Sequence, residues 1–299
     1  MRLGLIGEVD APTLARLANM ELRARAVVEG HYSGQHRSPY HGASIEFADH
    51  RAYSHGDELR HLDWKLYGRG DRFFVKQYDA ETNLNVHLLL DCSGSMDYPD
   101  RGPTKLSCGS YLAAALAYLA HLQRDASSLT CFDTRITRRL PPSTQRGHLQ
   151  RVFEALDAIE AGGETDLPGV LEQVSATTAR RGLLVLISDL LGPAEAVLRA
   201  LAHFRHRGHD TIVFHVLDPS ELDFSFRGPL LMEDLESGRR LGVEAGEIRS
   251  QYRQAMRAHL SELAEGCRIS RTDYELFVTD RPFGPALMAY LGRRNRSIA

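Results

Sequence analysis

The chain has 299 residues, 43% hydrophobic and 25% charged, with 25 Gly and 12 Pro, an ordinary globular composition that excludes a disordered, collagenous or coiled-coil chain. Its 36 basic residues stand against 39 acidic ones, a formal charge of −3, so nothing global draws it to nucleic acid or to an anionic membrane and any binding must arise at a local site. The length suits one large α/β domain or a domain with an appendage.

Residues 11–29 carry Leu14, Leu17, Met20, Ala24, Val27 and Val28 at helical spacing, which predicts one amphipathic helix closed at Gly30. From His31 to Asp79 no period persists, and the mixture of Gly, His, Tyr and Arg with short pieces such as FFVKQY predicts an irregular or short-stranded arm. These residues, 1–81, form the expected N-terminal helix and arm, and 82–299 the main domain. His31, His36, His41, His50, His55 and His61 lack the i, i+3 or i, i+4 pairing of a metal pair, and the Arg69-Gly70-Asp71 tripeptide carries no meaning in a chain read as unexported.

From Leu84 strands and helices alternate. LNVHLLLD, SLTCF, LLVLIS (residues 183–188), TIVFHVL (211–217) and YELFV (274–278) are short apolar runs separated by helical stretches, the pattern of a parallel sheet buried on both faces. ITRRL at 136–140 joins them, and the turn-rich residues 219–245 read as a hairpin-like insert. The fold class predicted is α/β, a doubly wound, mainly parallel sheet of Rossmann-like type. His203, His206 and His209 close a helix at Gly208 and read as a solvated cap, and the basic end GRRNR as solvated surface.

The four cysteines, Cys92, Cys108, Cys131 and Cys267, show neither a C-x-x-C pair nor the dense spacing of a disulfide scaffold and read as reduced thiols. The apolar part of MRLGLIGEVDAP is too short for a signal core, and no run approaches the roughly 18 apolar residues of a membrane span. The expectation is a cytoplasmic protein with no direct membrane insertion.

Chemistry gathers at the ends of two strands. Asp91 closes LLLD, Ser93 and Ser95 follow in D-C-S-G-S, Asp189 follows LLVLIS, and Thr165 stands in the loop G-G-E-T-D before a helix. Carboxyl ends of central strands are where open α/β sheets bind ligands. Two carboxylates and three hydroxyls form a hard-oxygen set suited to Mg²⁺, with Mn²⁺ or Ca²⁺ as alternatives, and unsuited to zinc. Such a set leaves a coordination position open to water or to a carboxylate from outside.

This pattern of Asp91, Ser93, Ser95, Thr165 and Asp189 resembles the metal-ion-dependent adhesion site of von Willebrand factor A domains. The preceding arm, HRSPYHGASIEFADHRAY and then HGDELRHLDWKLYGRGDRFFVKQYDAETN, resembles the segment that introduces the A-like domain in the bacterial family known as domain of unknown function 58. The resemblance implies a protein-interaction module, an adaptor or chaperone-like partner of a MoxR-type AAA+ ATPase, and no catalysis. Glu164 before Thr165 and Cys92 inside the motif depart from the pattern without removing a ligand.

The competing reading is a metal-dependent phosphatase or hydrolase using Asp91 as nucleophile. Position 93 is Ser where such phosphatases carry a second Asp as acid. A serine hydrolase lacks its G-x-S-x-G elbow. No G-x-x-x-x-G-K-[ST] loop is present, so the chain is not expected to hydrolyse ATP. The aromatic and charged residues interleaved over 51–80 could stack on single-stranded nucleic acid, but their near-neutral charge predicts packing of the arm instead.

Overall fold

In a computed structural model, residues 10–34, 49–52, 74–77, 84–99, 102–178 and 181–298 are described. The apolar runs after Leu84 become strands: β3 (Asn85–Asp91), β4 (Ala126–Phe132), β5 (Ile136–Ser143), β6 (Leu183–Ser188), β7 (Asp210–Leu217) and β10 (Asp273–Val278). They form one sheet in the order β10-β7-β6-β3-β4-β5, parallel except for β5. β5 tolerates Pro141 and Pro142 and exposes most of its side chains, as an edge strand can. Two further strands before the sheet, β1 (Asp49–Ala52) and β2 (Phe74–Gln77), pair antiparallel, and β8 (Pro229–Glu233) pairs antiparallel with β9 (Arg240–Glu244).

Successive side chains of a strand point to opposite faces, and this alternation divides the core in two. Leu88, Leu90, Val185, Ile187 and Phe214 face one layer of helices, α1 (Ala11–Ala15), α2 (Met20–Gly34), α3 (Lys105–Leu122), α4 (His148–Asp157) and α9 (Gly284–Ile298). Leu89, Leu184, Leu186 and Val213 face the other, α5 (Leu167–Thr177), α6 (Ala194–His206) and α8 (Ala245–Ile269). A short helix, α7 (Pro219–Asp223), follows β7. This is the α/β, doubly wound, von Willebrand factor A-like architecture predicted from sequence. Central to it is α3, whose Gly109 and run of alanines are buried and let the helix lie close: a Cβ on Gly109 would meet Leu90 and Ile187 side chains at 3.0 and 3.1 Å.

The chain divides into two compact units, residues 1–38 with 84–299, and residues 39–83. In the smaller, β1 and β2 pair from Asp49 opposite Gln77 to Ala52 opposite Phe74. His36, His41, His55, His61 and the Arg69-Gly70-Asp71 tripeptide lie outside the described residues, as does most of the arm segment that carries the family resemblance.

Three expectations need correction. The single helix over 11–29 is two helices, and the second continues through Gly30 to Gly34. The break is held by side chains: Asn19 Oδ1 accepts from the Leu22 N–H at 2.9 Å, and the Arg23 guanidinium donates to the Leu14 and Leu17 carbonyls at 3.3 and 3.0 Å. These satisfy groups a helix end leaves unpaired. His209 is no solvated cap but is buried against Phe204 and His87, and burial, reinforced by Arg207, lowers its pKa. The basic end is not merely solvated, since Arg294 donates to Asp125 at 2.5 and 3.1 Å and Arg293 is buried.

Leu88 lies on the central strand with no exposed surface. Leu88→Ala should cost ~2–5 kcal/mol through lost burial and the cavity left behind, read as a lower urea midpoint. Leu241→Ala, at a side chain 65% exposed, should leave the midpoint unchanged.

Candidate metal centre

Counted along the chain, the sheet strands run third, second, first, fourth, fifth, sixth across the sheet. The order reverses between β3 and β6, the topological switch point where open α/β sheets form a crevice at their carboxyl ends. Asp91 is the last residue of β3, and Ser188 ends β6 beside it with Asp189 next in the chain. The fold thus places both sequence-predicted carboxylates at the reversal.

Asp91 has no exposed surface. Its Oδ2 accepts from the Ser188 hydroxyl at 2.6 Å and its Oδ1 from the Ser93 N–H at 3.0 Å. Burial, and after it the charge of Asp189, push the Asp91 carboxyl up to about 7. After β3 the chain turns through a 3₁₀ turn (Gly94–Met96), and the Ser93 and Ser95 hydroxyls stand 3.1 Å apart, both buried. The Gly-rich loop is laced to this turn, with the Gly94 N–H donating to the Gly163 carbonyl and the Gly162 N–H to the Cys92 carbonyl, both at 2.9 Å. Gly163 takes φ +79°, a conformation open to glycine at little cost. The loop then delivers Thr165 one residue ahead of Asp166, which caps α5 by accepting from the Gly169 N–H at 3.1 Å.

Asp91, Ser93 and Ser95 are therefore joined directly or through one another, and Asp189 lies within electrostatic reach of Asp91. Two members of the set are engaged elsewhere. Asp189 Oδ2 accepts from the Lys105 ammonium at 2.8 Å, and Thr165 donates to Glu236, through its hydroxyl at 2.7 Å and its backbone N–H at 3.3 Å.

Lys105 stands in the first turn of α3 without exposed surface, between Asp189 and Glu221 Oε1 at 2.6 Å. Burial alone would lower its pKa, but the two carboxylates outweigh that and hold it above its ordinary value. Glu221 does two things with one carboxylate. Its other oxygen accepts from the Asp218 N–H at 2.8 Å, closing a capping box at the start of α7 just beyond β7. Burial nevertheless raises the Glu221 pKa.

Sequence reasoning missed Lys105, Glu221, Ser188 and Glu236. The D-P-S-E string at 218–221 carries the capping-box signature, and Ser188 ends a strand already singled out. Lys105 and Glu236 read locally as ordinary helix-start and turn residues. Cys92 is buried, donates to the Leu90 carbonyl at 3.3 Å, and is held well above the ordinary thiol range by Cys131 and by burial. That makes it a packed and unreactive thiol.

The residues present fit a hard divalent cation. Asp91 is a fully buried carboxylate whose hydrogen-bond partners among the described residues are a hydroxyl and an N–H, with no cation among them, an arrangement costly to leave uncompensated. Beside it, among the described residues, stand the hydroxyls of Ser188, Ser93 and Ser95. Among the described residues no three His, Cys, Asp or Glu side chains form a group able to hold a metal by themselves, so binding here would draw on the hydroxyls.

The chain belongs to the family described as "Protein of unknown function DUF58", which matches residues 49–262. It is similar to the uncharacterized Mycobacterium tuberculosis protein Rv1480, 27% identical over 300 residues that cover 98% of this chain and 93% of the relative. The solved structure of the conserved hypothetical protein BatB from Bacteroides thetaiotaomicron shares the fold, with a TM-score of 0.50 at 18% identity over 72% of this chain and 98% of that one. An aerotolerance-related membrane protein from Bacteroides fragilis gives a TM-score of 0.49 at 16% identity, covering 71% and 99%. Among the described residues of the present chain, no helix is long and apolar enough to cross a membrane.

Removing the ammonium while keeping the chain's bulk tests the ion-pair arrangement. Lys105→Met strands the carboxylates of Asp189 and Glu221 and should cost ~3–5 kcal/mol, as breaking a buried pair does. Protonation relieves stranded carboxylates, so the loss, read from urea midpoints, should be smaller at pH 5 than at pH 8.

Proposed function

We propose that this DUF58 protein is a metal-dependent protein-interaction module that holds Mg²⁺ with Asp91, Ser93, Ser95, Thr165 and Asp189, directly or through water, and binds a carboxylate of a partner. The observation that carries the reading is Asp91, a carboxylate sealed at the switch point with two hydroxyls beside it and no cation among the described residues bonded to it. Bound there, the cation would supply Lewis acidity toward an oxygen ligand from outside. The chain's own residues fix the donors: Ser188 and the Ser93 N–H orient Asp91, and Lys105 holds Asp189. The partner proposed is a MoxR-type AAA+ ATPase, on the strength of the family resemblance, and the setting cytoplasmic. Other acidic partners could use the same position.

No catalysis is proposed. Two residues beyond Asp91, where a phosphatase of the competing type places its acid, stands Ser93, whose hydroxyl is no general acid at neutral pH. No turnover of p-nitrophenyl phosphate or ester substrates is expected with Mg²⁺ or Mn²⁺. Turnover that disappears in Asp91→Asn would replace this reading with an enzymatic one.

Ligand that binds only the folded state stabilises it by ~2.7 kcal/mol at 100 times Kd, which for a domain of this size is a rise of roughly 5–10 °C in Tm. Mg²⁺ should produce that rise in the native protein and none in Asp91→Asn. Because the buried charge of Asp91 is itself costly, the Asn variant without Mg²⁺ should melt no lower than the native protein. Capture of the AAA+ ATPase from the native cell should succeed in Mg²⁺ and fail in EDTA. Equal capture in both, with Asp91→Asn capturing equally, would refute the proposal.

A further inference from the structure

The insert that follows α7 is a two-stranded arm whose tip is seated on the candidate metal centre. β8 and β9 pair from Pro229 opposite Glu244 to Glu233 opposite Arg240, and the tip, residues 234–239, closes with the Asp234 N–H donating to the Arg239 carbonyl at 2.9 Å. Asp234 stiffens the tip from inside, its Oδ1 accepting from the Glu236 N–H at 3.0 Å. Glu236 is thereby held outward on a fixed turn, and both its carboxylate oxygens meet Thr165, one on the hydroxyl at 2.7 Å and one on the N–H at 3.3 Å. The neighbouring backbone is just as close. A Cβ placed on Gly94 would lie 2.4 Å from the Leu235 carbonyl oxygen, so the D-C-S-G-S turn accepts the tip only because position 94 has no side chain.

Between tip and root the arm is less well supported. Leu231 and Leu241 are 68% and 65% exposed. Between the arm's own Leu230 and Leu231 and the body of the domain lies a 550 Å³ cavity, lined on the body by Ser95 and Lys105 on the site side and by Phe224, Phe226 and Tyr252 on the apolar side. An element resting on its tip and root over a void opens at lower cost than one packed along its length.

We propose that this arm is a built-in carboxylate ligand: Glu236 takes, at Thr165, the position a partner's carboxylate would take, and the partner binds by displacing the arm. The inference rests on the metal-dependent reading above and adds its regulation. In the resting protein Glu236 completes the site. A partner segment that bears an acidic residue next to apolar ones matches both halves of what displacement uncovers, the oxygen-lined site and the cavity's apolar wall.

The test uses the full chain, its Glu236→Ala variant and Mn²⁺ alone as probe. Loss of free Mn²⁺ signal in electron paramagnetic resonance reports binding, and water-proton relaxation reports how much water reaches the bound ion. Both proteins should take up Mn²⁺, and the variant should relax water protons more strongly, by the increment of about one additional water ligand. In hydrogen exchange without metal, amides of residues 234–239 should exchange roughly 10- to 100-fold faster in the variant, the range expected on losing hydrogen bonds to a charged group. Equal relaxation with Mn²⁺ bound to both proteins would overturn the arm's role while leaving the metal reading intact. Failure of both proteins to bind Mn²⁺ would overturn the metal reading and this inference with it.

Discussion

The structure turns on a buried negative charge. At the carboxyl ends of the central strands, Asp91 lies within electrostatic reach of Asp189, Lys105 is bonded to Asp189 and Glu221, and Glu236 is bonded to Thr165. Among the described residues, Asp91 has only dipoles for hydrogen-bond partners. A carboxylate in that position costs free energy unless it is protonated, paired or coordinated, and the hydroxyls of Ser93 and Ser95 beside it are the donors that coordination by a hard cation requires. The surrounding architecture serves to make this cost bearable and the position exact to within a hydrogen bond.

That service begins with topology. Reversal of strand order between β3 and β6 leaves a crevice at their ends that no crossover covers. The apolar runs that make those strands insoluble alone are what bury Asp91, because the same residues pack against helices on both faces. The small residues of α3 bring that helix close to β3 and β6, and its first turn then carries Lys105 to Asp189. One close approach sets the core and the charge balance together.

Much of this was legible in the sequence, and what was not shares a physical character. LNVHLLLD and LLVLIS announce doubly buried strands by lacking alternation, and their terminal aspartates announce the site, because strand end and carboxylate are adjacent in the chain. Lys105 and Glu236 meet partners 84 and 71 residues away, and no local period encodes such a contact. The break between α1 and α2 escaped for a related reason: the apolar spacing continues through it, while Asn19 and the guanidinium of Arg23 supply caps that spacing does not reveal. His209 looked like a helix cap because sequence reports the helix end and not what covers it. The hairpin was visible as an insert, but its seat on Gly94 was not, since the glycine there matters only once the tip has arrived.

The family assignment and the shared fold with BatB agree with this architecture, and the oxygen cluster at the switch point is where the proposed cation would bind. The most direct measurement is crystallographic: anomalous difference density from crystals of the full chain grown with Mn²⁺. The account predicts a single strong peak within bonding distance of Asp91 and of the Ser93 or Ser95 hydroxyl. A crevice without such a peak at saturating Mn²⁺, or a peak held only by other residues, would contradict it.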